Sequence, residues 1–319
     1  MATTARYAID RTIELDVNGS RQRIRLSAER EGRSPLLIVQ GGPGLPLLNE
    51  VRKFQRLLDL ERDFLVGYWE QRGCGDAPAH EAERVSMEQQ VADFRMVLQW
   101  FFEHANQRVI VLAISLGGTV ALQAAERELQ HLKAIVGVSP DSHTAIGDAA
   151  ADEFIRTHGA QAGSRGLKRR ALRLPKPPYH TPATLQQRAR VLADFGAIEH
   201  GKTFAALFGE LSFSLIRTYG LRGTMRTFRN MNLVQRRMLA QLNSLDLLTR
   251  APRVPVPVHY VFGERDALNP PALVNRLPGA IGAPATTVTI APEAGHMVHF
   301  DHPHIVRSIV VTASVAVSA

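Results

Sequence analysis

The chain of 319 residues contains one cysteine, Cys74, and no apolar run that approaches the ~20 residues of a membrane-spanning helix. One cysteine excludes an intrachain disulfide framework and a zinc site built from cysteines. Residues 1–10 lack the apolar core of a secretory signal peptide. These absences predict a cytoplasmic protein without a membrane partner. Nothing near Cys74 in the sequence indicates a lowered thiol pKa, so we expect a small buried side chain and not a nucleophile.

Acidic residues are scarce in one part of the chain. The whole sequence has 38 Lys and Arg against 30 Asp and Glu, a formal net charge of +8. Residues 141–250 hold 17 of the basic and 8 of the acidic residues, so the remainder, with 21 and 22, is nearly neutral. The basic runs 168–170 and 236–237 lack the interleaved aromatic side chains that single-strand nucleic-acid binders use. We therefore expect solvated basic surface and no nucleic-acid partner.

The order of apolar patterns predicts an α/β fold. Alternating apolar residues on both sides of Asn18-Gly19 indicate an antiparallel hairpin with a type I′ turn. Helical stripes near 91–102, 120–125 and 305–310 alternate with later strand-like runs. This order predicts a mostly parallel, doubly wound sheet that begins with an antiparallel hairpin. The short continuous apolar runs, typical of parallel strands covered on both faces, are 36–39, 64–69, 109–112, 134–138, 256–262 and 288–290.

The alternation stops between about residues 139 and 250. This stretch has no strong strand-like run, and helical patterns return only around 207–215 and 233–248. We interpret it as a mostly helical insertion between two strands. The predicted organisation is a core of residues 1–139 and 252–319 and an inserted helical unit of residues 140–251.

The sharpest motif is Ala113-Ile114-Ser115-Leu116-Gly117-Gly118, which lies between an apolar run and a helix of small residues. A nucleophile elbow is such a strand–turn–helix, and its tight turn requires small residues two before and two after the serine, here Ala113 and Gly117. The turn would lift the Ser115 hydroxyl above the carboxyl edge of the sheet, in front of a helix N-terminus. A serine that merely caps a glycine-rich turn would show the same short pattern.

A glycine-rich loop, Gln40-Gly41-Gly42-Pro43-Gly44, ends an apolar run upstream of the serine. Such a loop leaves backbone N–H groups free, as an oxyanion hole requires. Pro43 has no N–H, so the expected donors are the N–H groups of Gly42 and Leu116. Taken alone, the loop is also explained as an ordinary strand-ending turn.

An acid and a base follow later strands. Asp266, with Glu264 as the alternative, comes after the run 256–262, where a carboxylate can orient a histidine. His296 follows the run 288–290 and is the candidate general base. Three more histidines, at 299, 302 and 304, would allow a metal cluster, but their spacing fits no familiar ligand set, so no metal is expected.

The order oxyanion loop, Ser115, Asp266, His296 is the chain order of the α/β-hydrolases, with each element at the carboxyl end of a predicted strand. It predicts a serine nucleophile that forms an acyl-enzyme and needs no cofactor. A serine in place of an aspartate nucleophile disfavours haloalkane dehalogenase and epoxide hydrolase chemistry.

Three segments resemble the proline iminopeptidase-like branch of the α/β-hydrolase fold superfamily: 41–44, 68–75 and 295–300. Members of that branch carry H-G-G-P-G at the first segment and D-Q-R-G-x-G at the second. The resemblance covers residues 12–139 and 252–312 and hardly touches the insertion, which in this family is a helical cap over the active site.

The sequence departs from the family pattern at three positions. Gln40 replaces His, Glu70 replaces Asp and Ala113 replaces Gly. The resemblance implies that Gln40 and Glu70 lie in loops that shape the substrate site, and that Arg72 braces loops near it. None of these departures removes a catalytic atom, so they weaken the transfer of substrate class more than that of reaction type.

The charge of the insertion bears on the substrate. An enzyme that binds a free ammonium group needs carboxylates to pair with it, and the insertion offers Glu199 and Glu210, with Glu70 from the core. A solvated helix face is the preferred interpretation of each of the three. A basic cap suits a neutral or anionic small molecule, so the leading hypothesis is a carboxylic ester hydrolase.

Other functions stay open. A proline iminopeptidase-like aminopeptidase and a carbon–carbon bond hydrolase would use the same triad. The fold also occurs as a non-catalytic ligand-binding scaffold, because fold does not establish activity. The sequence does not indicate an oligomeric state.

Overall fold

The computed structural model describes residues 6–315, which form one eight-stranded sheet with helices on both faces. The strand order is β1-β2-β4-β3-β5-β6-β7-β8. The strands are β1 Ile9–Val17, β2 Ser20–Ala28, β3 Ser34–Val39, β4 Phe64–Glu70, β5 Val109–Ile114, β6 Leu132–Val138, β7 Val258–Gly263 and β8 Thr286–Ala291.

The hairpin prediction is confirmed. Asn18 and Gly19 both have positive φ, 50° and 71°, as the two central residues of a type I′ turn require. β2 pairs antiparallel with both β1 and β4, whereas all pairs from β3 to β8 are parallel. The result is a mostly parallel doubly wound sheet with an antiparallel start.

Besides a 3-10 helix at Leu60–Arg62, thirteen α-helices are found in the described part of the chain. They are α1 Val51–Leu57, α2 Ala79–Ala82, α3 Met87–Ala105, α4 Leu116–Ala125, α5 Thr144–Gln161, α6 Arg165–Arg173, α7 Pro182–Asp194, α8 Phe204–Asn243, α9 Leu247–Arg250, α10 Pro271–Val274, α11 Leu277–Ala280, α12 Val298–Asp301 and α13 Pro303–Val315. None of them combines the length and hydrophobicity of a transmembrane span.

Alternate residues of the central strands fill two cores. In β3, Leu37 and Val39 point to the face covered by α3 and α4, and Leu36 and Ile38 to the face covered by α1 and α13. This is the period-2 geometry of a strand buried on both sides, and it explains the continuous apolar runs.

One strand departs from that prediction. β8 is an edge strand, and its Val288 and Ile290 side chains are exposed rather than covered. The run 288–290 has the apolar composition of a central strand, but no neighbour lies beyond it in the sheet. Sequence pattern alone does not distinguish an edge strand from a central one.

The described residues between β6 and β7 contain helices α5 to α9 and no strand. The pattern at 207–215 lies in the first arm of α8, and Gly220, with φ 68° and ψ 179°, bends this helix into two arms. The pattern at 233–248 does not form one helix, because α8 ends at Asn243 and α9 begins at Leu247. The sequence did not predict α5, α6 and α7 individually.

Arg72 braces a different region from the one expected. Its guanidinium is buried and donates to Asp93 of α3 at 2.7 and 3.0 Å, to Glu81 of α2 at 3.2 Å and to the carbonyl oxygens of Val17 and Asn18. Arg72 therefore ties the hairpin turn to the helices and does not line the cavity over Ser115.

Candidate active site

Ser115 occupies the turn between β5 and α4. Its backbone has φ 51° and ψ −123°, a conformation that non-glycine residues rarely adopt and that occurs at functional turns. A Cβ at Gly117 would collide with the carbonyl oxygen of Val39, and one at Gly118 would lie 2.6 Å from Pro140. The small residues after the serine are thus required by the close approach of β3 and of the segment that follows β6, as expected for a nucleophile elbow.

Two hydrogen bonds join the three residues that the sequence singled out. Ser115 Oγ lies 2.9 Å from His296 Nε2, and His296 Nδ1 lies 2.9 Å from Asp266 Oδ2. Asp266 is fixed by two further donors, Asn269 Nδ2 at 2.9 Å and the Leu268 N–H at 3.0 Å. In this geometry His296 can take the serine proton while Asp266 holds its ring.

The electrostatics match this arrangement. Burial lowers the pKa of His296, but the Asp266 carboxylate, with a smaller contribution from Asp141, outweighs burial and leaves the pKa above its ordinary value. Burial raises the pKa of Asp266, but His296 and the Asn269 hydrogen bond lower it overall, so the carboxylate remains ionised at neutral pH.

The alternative acid and the other histidines lie elsewhere. Glu264 accepts a hydrogen bond from the Glu293 N–H and does not contact His296. His299 is buried against the Phe54 ring, 5.4 Å away, and His302 binds the Pro292 carbonyl. Across residues 6–315 no group of three or more His, Cys, Asp or Glu side chains is arranged to hold a metal ion.

Cys74 is buried, and burial together with the Glu70 charge raises the pKa of its thiol well above the ordinary value. A thiol with so high a pKa is unreactive.

The glycine-rich loop approaches the serine closely. A Cβ at Gly41 would lie 2.9 Å from the Ser115 Cβ, so only glycine allows this approach. Gly42 lines the cavity over Ser115, and Leu116 is the first residue of α4, where N–H groups have no partner inside the helix. The assignment of Gly42 and Leu116 as oxyanion donors stays a prediction.

A cavity of about 980 Å³ opens above Ser115. Its walls come from the loop after β3 and from helices α1, α7 and α8. One wall is aromatic: the rings of Phe204, Phe208 and Phe228 stack in series, with centroids 5.6 and 5.7 Å apart. Gln40 also lines the cavity, and its buried side-chain oxygen has no hydrogen-bond partner among residues 6–315.

Two candidate substrate-binding carboxylates face this cavity but are already paired. Glu199 binds Lys53 Nζ at 3.0 Å and Lys202 Nζ at 2.7 Å. Glu210 binds Lys202 Nζ at 2.6 Å and lies 3.7 Å from Lys53. These carboxylates are neutralised by lysines and are poorly suited to bind a substrate ammonium group.

Glu70 does not line the cavity. One carboxylate oxygen accepts the N–H groups of Leu47 and Leu48 at 2.7 and 3.0 Å, and the other binds the Tyr219 hydroxyl of α8. The structure therefore places Glu70 as a tie between the loop after β3 and α8, away from the substrate.

Sequence reasoning missed Asp141, three residues beyond β6. Both of its carboxylate oxygens lie 3.4 Å from Ser115 Oγ, and its backbone binds the Ser115 carbonyl and the Thr119 hydroxyl. Burial raises the pKa of Asp141. A signal was available, because Asp141 follows a predicted strand just as Asp266 does, at the edge where ligands bind in such sheets.

The fold and the triad geometry agree with a comparison of the sequence. Residues 43–309 match the family described as "Alpha/beta hydrolase family". The chain belongs to this family. It is accordingly a hydrolase, and the match spans both the core and the helical insertion.

Individual relatives of this alpha/beta hydrolase are distant. It is 23% identical over 296 residues to the "Probable aminopeptidase YbaC" of Bacillus subtilis (strain 168), covering 91% of this chain and 92% of that one. The solved proline iminopeptidase of Mycobacterium smegmatis superimposes with a TM-score of 0.66, at 20% identity and 95% and 97% coverage. The esterase RhEst1 from Rhodococcus sp. ECU1013 gives 0.60, at 17% identity and 96% and 98% coverage.

Proposed function

We propose that this hydrolase cleaves small-molecule carboxylic esters through an acyl-enzyme, with Ser115 as nucleophile, His296 as general base and Asp266 as the orienting acid. The observation that carries the proposal is the continuous pair of 2.9 Å hydrogen bonds from Ser115 through His296 to Asp266. The strained Ser115 backbone supports it, because such strain is found where a side chain is held for function.

The proposed reaction has two halves. Ser115 Oγ attacks the acyl carbonyl carbon while its proton passes to His296 Nε2, and the N–H groups of Gly42 and Leu116 bind the oxyanion. The imidazolium then protonates the leaving alcohol, and the acyl group stays on Ser115. A water molecule then attacks the acyl carbon while its proton passes to His296, the bond from that carbon to Ser115 Oγ breaks, and the imidazolium returns the proton to Ser115 Oγ as the acid leaves. No cofactor is required.

We also propose that residues 1–139 and 252–319 form the catalytic core and that residues 140–251 cap it. The cavity supports this division, because its floor comes from the core loops and two of its walls come from α7 and α8. Phe204, Phe208 and Phe228 would then contact the apolar part of the substrate.

The charges around the cavity favour a neutral or anionic substrate. Eight basic side chains line it, and the acidic ones are four: Glu50, Asp141, Glu199 and Glu210. Glu199 and Glu210 are paired with lysines, which leaves a positive balance. A cationic substrate would meet repulsion at the cavity rim.

The substrate assignment predicts a ranking of substrates. We expect kcat/KM for short-chain p-nitrophenyl esters to exceed that for proline p-nitroanilide by at least about tenfold, because the cavity offers the prolyl ammonium group no free carboxylate of Glu199 or Glu210. A tenfold ratio corresponds to a difference of ~1.4 kcal/mol in transition-state free energy. Rates of both, measured on one preparation and corrected for the Ser115→Ala variant, give the ratio. A preference for the arylamide would overturn the ester assignment.

Aminopeptidase activity is the second candidate, and one observation favours it. Asp141 has no cationic partner within ion-pair distance in the described part of the chain and lies beside the nucleophile, where an acyl group's α-ammonium could reach it. The names of the Bacillus and Mycobacterium relatives agree with this candidate. If it is correct, Asp141→Asn impairs aminoacyl substrates selectively.

Asp141 also predicts a change in pH dependence. His296 must be neutral to accept the serine proton, so kcat/KM rises with pH through the His296 pKa, which lies above its ordinary value. The Asp141 charge contributes to that elevation because it stabilises the imidazolium. We expect Asp141→Asn to move the acidic limb of the kcat/KM profile to lower pH, by a few tenths of a unit to about one unit.

The matched control for this experiment is Asp152→Asn, which removes a carboxylate of α5 that is paired with Arg156 outside the cavity. Its acidic limb should coincide with that of the wild type. An unchanged or upward-shifted limb in Asp141→Asn would show that Asp141 does not act on His296.

A further inference from the structure

The bend of α8 exposes large apolar side chains. Phe213, Leu221 and Met225 are 67%, 68% and 65% exposed, and Ile216 is 43% exposed. They flank Gly220, where the two arms of the helix meet. We name Phe213, Ile216, Arg217, Leu221, Arg222 and Met225 the α8 bend surface. Several large exposed apolar side chains along one short helical segment mark an interaction site more often than single ones do.

The charge of this surface has one sign. Residues 211–245 contain six arginines and no Asp or Glu. Arg217 and Arg222 are exposed and have no ion-pair partner among residues 6–315. On the second arm, Leu221 and Met225 are one helical turn apart, with Arg222 alongside them, so apolar and cationic groups share one face.

The α8 bend surface is continuous with the cavity over Ser115. Phe213 and Arg217 belong to both, and behind them the cavity wall is the aromatic stack of Phe204, Phe208 and Phe228. An apolar chain in contact with Phe213 could therefore reach the aromatic wall of the same cavity.

We propose that the α8 bend surface docks on an anionic lipid–water surface, and that the ester substrate is an amphiphile drawn from that surface into the cavity. The docking stands on the exposed apolar and cationic residues alone, whereas the identity of the substrate rests on the proposed function. Apolar side chains enter the headgroup boundary while arginines bind anionic headgroups, as in other peripheral membrane contacts.

Charge complementarity selects this occupant. A second copy of the chain would bring the same unpaired arginines face to face in a symmetric contact, which like-charge repulsion opposes. The sequence predicted no membrane partner because no run is long enough to span a bilayer. Peripheral docking needs only a few side chains at one bend of a helix, which a search for long apolar runs does not detect.

Flotation with vesicles tests the docking. We expect the full chain to float with vesicles of phosphatidylcholine and phosphatidylglycerol, to remain unbound with phosphatidylcholine alone, and to be released by salt. Leu221→Ser/Met225→Ser should weaken binding by about tenfold or more, and Arg217→Gln/Arg222→Gln by about tenfold. Leu129→Ser, which changes a leucine that is 54% exposed outside α8, is the matched control and should bind as the wild type does.

Ser115→Ala separates the two proposals, because it should float normally while its ester hydrolysis falls by at least about 10⁴-fold. Normal flotation with no ester hydrolysis by the wild type would contradict the proposed function and leave the docking supported. Equal binding to both kinds of vesicle, binding to neither, or a solution dimer that Leu221→Ser/Met225→Ser dissociates would overturn the docking.

For the substrate itself, the readout is the ratio of hydrolysis of a vesicle-embedded ester to that of a water-soluble ester. This ratio should fall at least about fivefold in Leu221→Ser/Met225→Ser. Circular dichroism and thermal unfolding of the variant confirm that it is folded. A ratio equal to that of the wild type would overturn the inference about the substrate.

Discussion

Ser115→Ala lowers kcat for ester hydrolysis by about 10⁴- to 10⁶-fold in this account, the range seen when a triad nucleophile is removed. The alanine leaves His296 and Asp266 in place but removes the atom that forms the acyl-enzyme. The 2.9 Å bond from Ser115 Oγ to His296 Nε2 is the contact that is lost. Initial rates on a p-nitrophenyl ester, with enzyme concentrations matched by absorbance, measure the change.

Ser142→Ala is the control for this substitution. Ser142 is also buried near the carboxyl end of β6, but its hydroxyl has no hydrogen-bond partner in the described part of the chain. Its replacement should leave kcat within about twofold, since no interaction with the reacting groups is removed. A loss of less than about tenfold in Ser115→Ala would remove Ser115 from the role of nucleophile.

Arg72→Met should destabilise the fold by about 3–5 kcal/mol, the usual result of deleting one partner of a buried ion pair. Asp93 and Glu81 would remain buried without the guanidinium that pairs with them, and the carbonyl oxygens of Val17 and Asn18 would lose its N–H donors. Urea unfolding followed by circular dichroism gives the change in the free energy of unfolding.

The matched control is Arg156→Met, which removes the partner of Asp152 four residues earlier on α5. This pair is partly exposed, so its loss should cost only about 0.3–0.5 kcal/mol. Equal midpoints for the two variants would show that the Arg72 network adds no more to stability than a surface pair does.

The parts of the fold that depend on neighbouring residues were predictable. Asn18-Gly19 specifies a turn with two positive φ values, and the spacing of small residues around Ser115 specifies a strand–turn–helix. The parallel order of the strands then places the segments after β5, β7 and β8 at one edge of the sheet. For this reason Ser115, Asp266 and His296 could be named from the sequence, and the structure brings them within hydrogen-bond distance.

The parts that depend on distant partners were not predictable. Nothing in the local sequence shows that Glu199 meets Lys53 across 146 positions, or that Glu70 binds Tyr219 of α8. Both glutamates were therefore candidates for binding a substrate, although their carboxylates are already engaged. Asp141 is an intermediate case: its place just after a predicted strand was a signal in the sequence, but its 3.4 Å distance to Ser115 Oγ is seen only in the structure.

Covalent labelling with a fluorophosphonate, a reagent that reacts with activated serine hydroxyls, tests the proposed mechanism most directly. Mass spectrometry of the labelled, proteolysed protein should show one adduct, on Ser115, formed at a rate that falls at least about 10²-fold in His296→Ala because the general base is lost. The fraction of ester hydrolysis that is lost should equal the fraction of the protein that carries the adduct at each time. Ester hydrolysis that persists with Ser115 unlabelled, or an adduct at any other residue, would contradict the assignment of Ser115, His296 and Asp266.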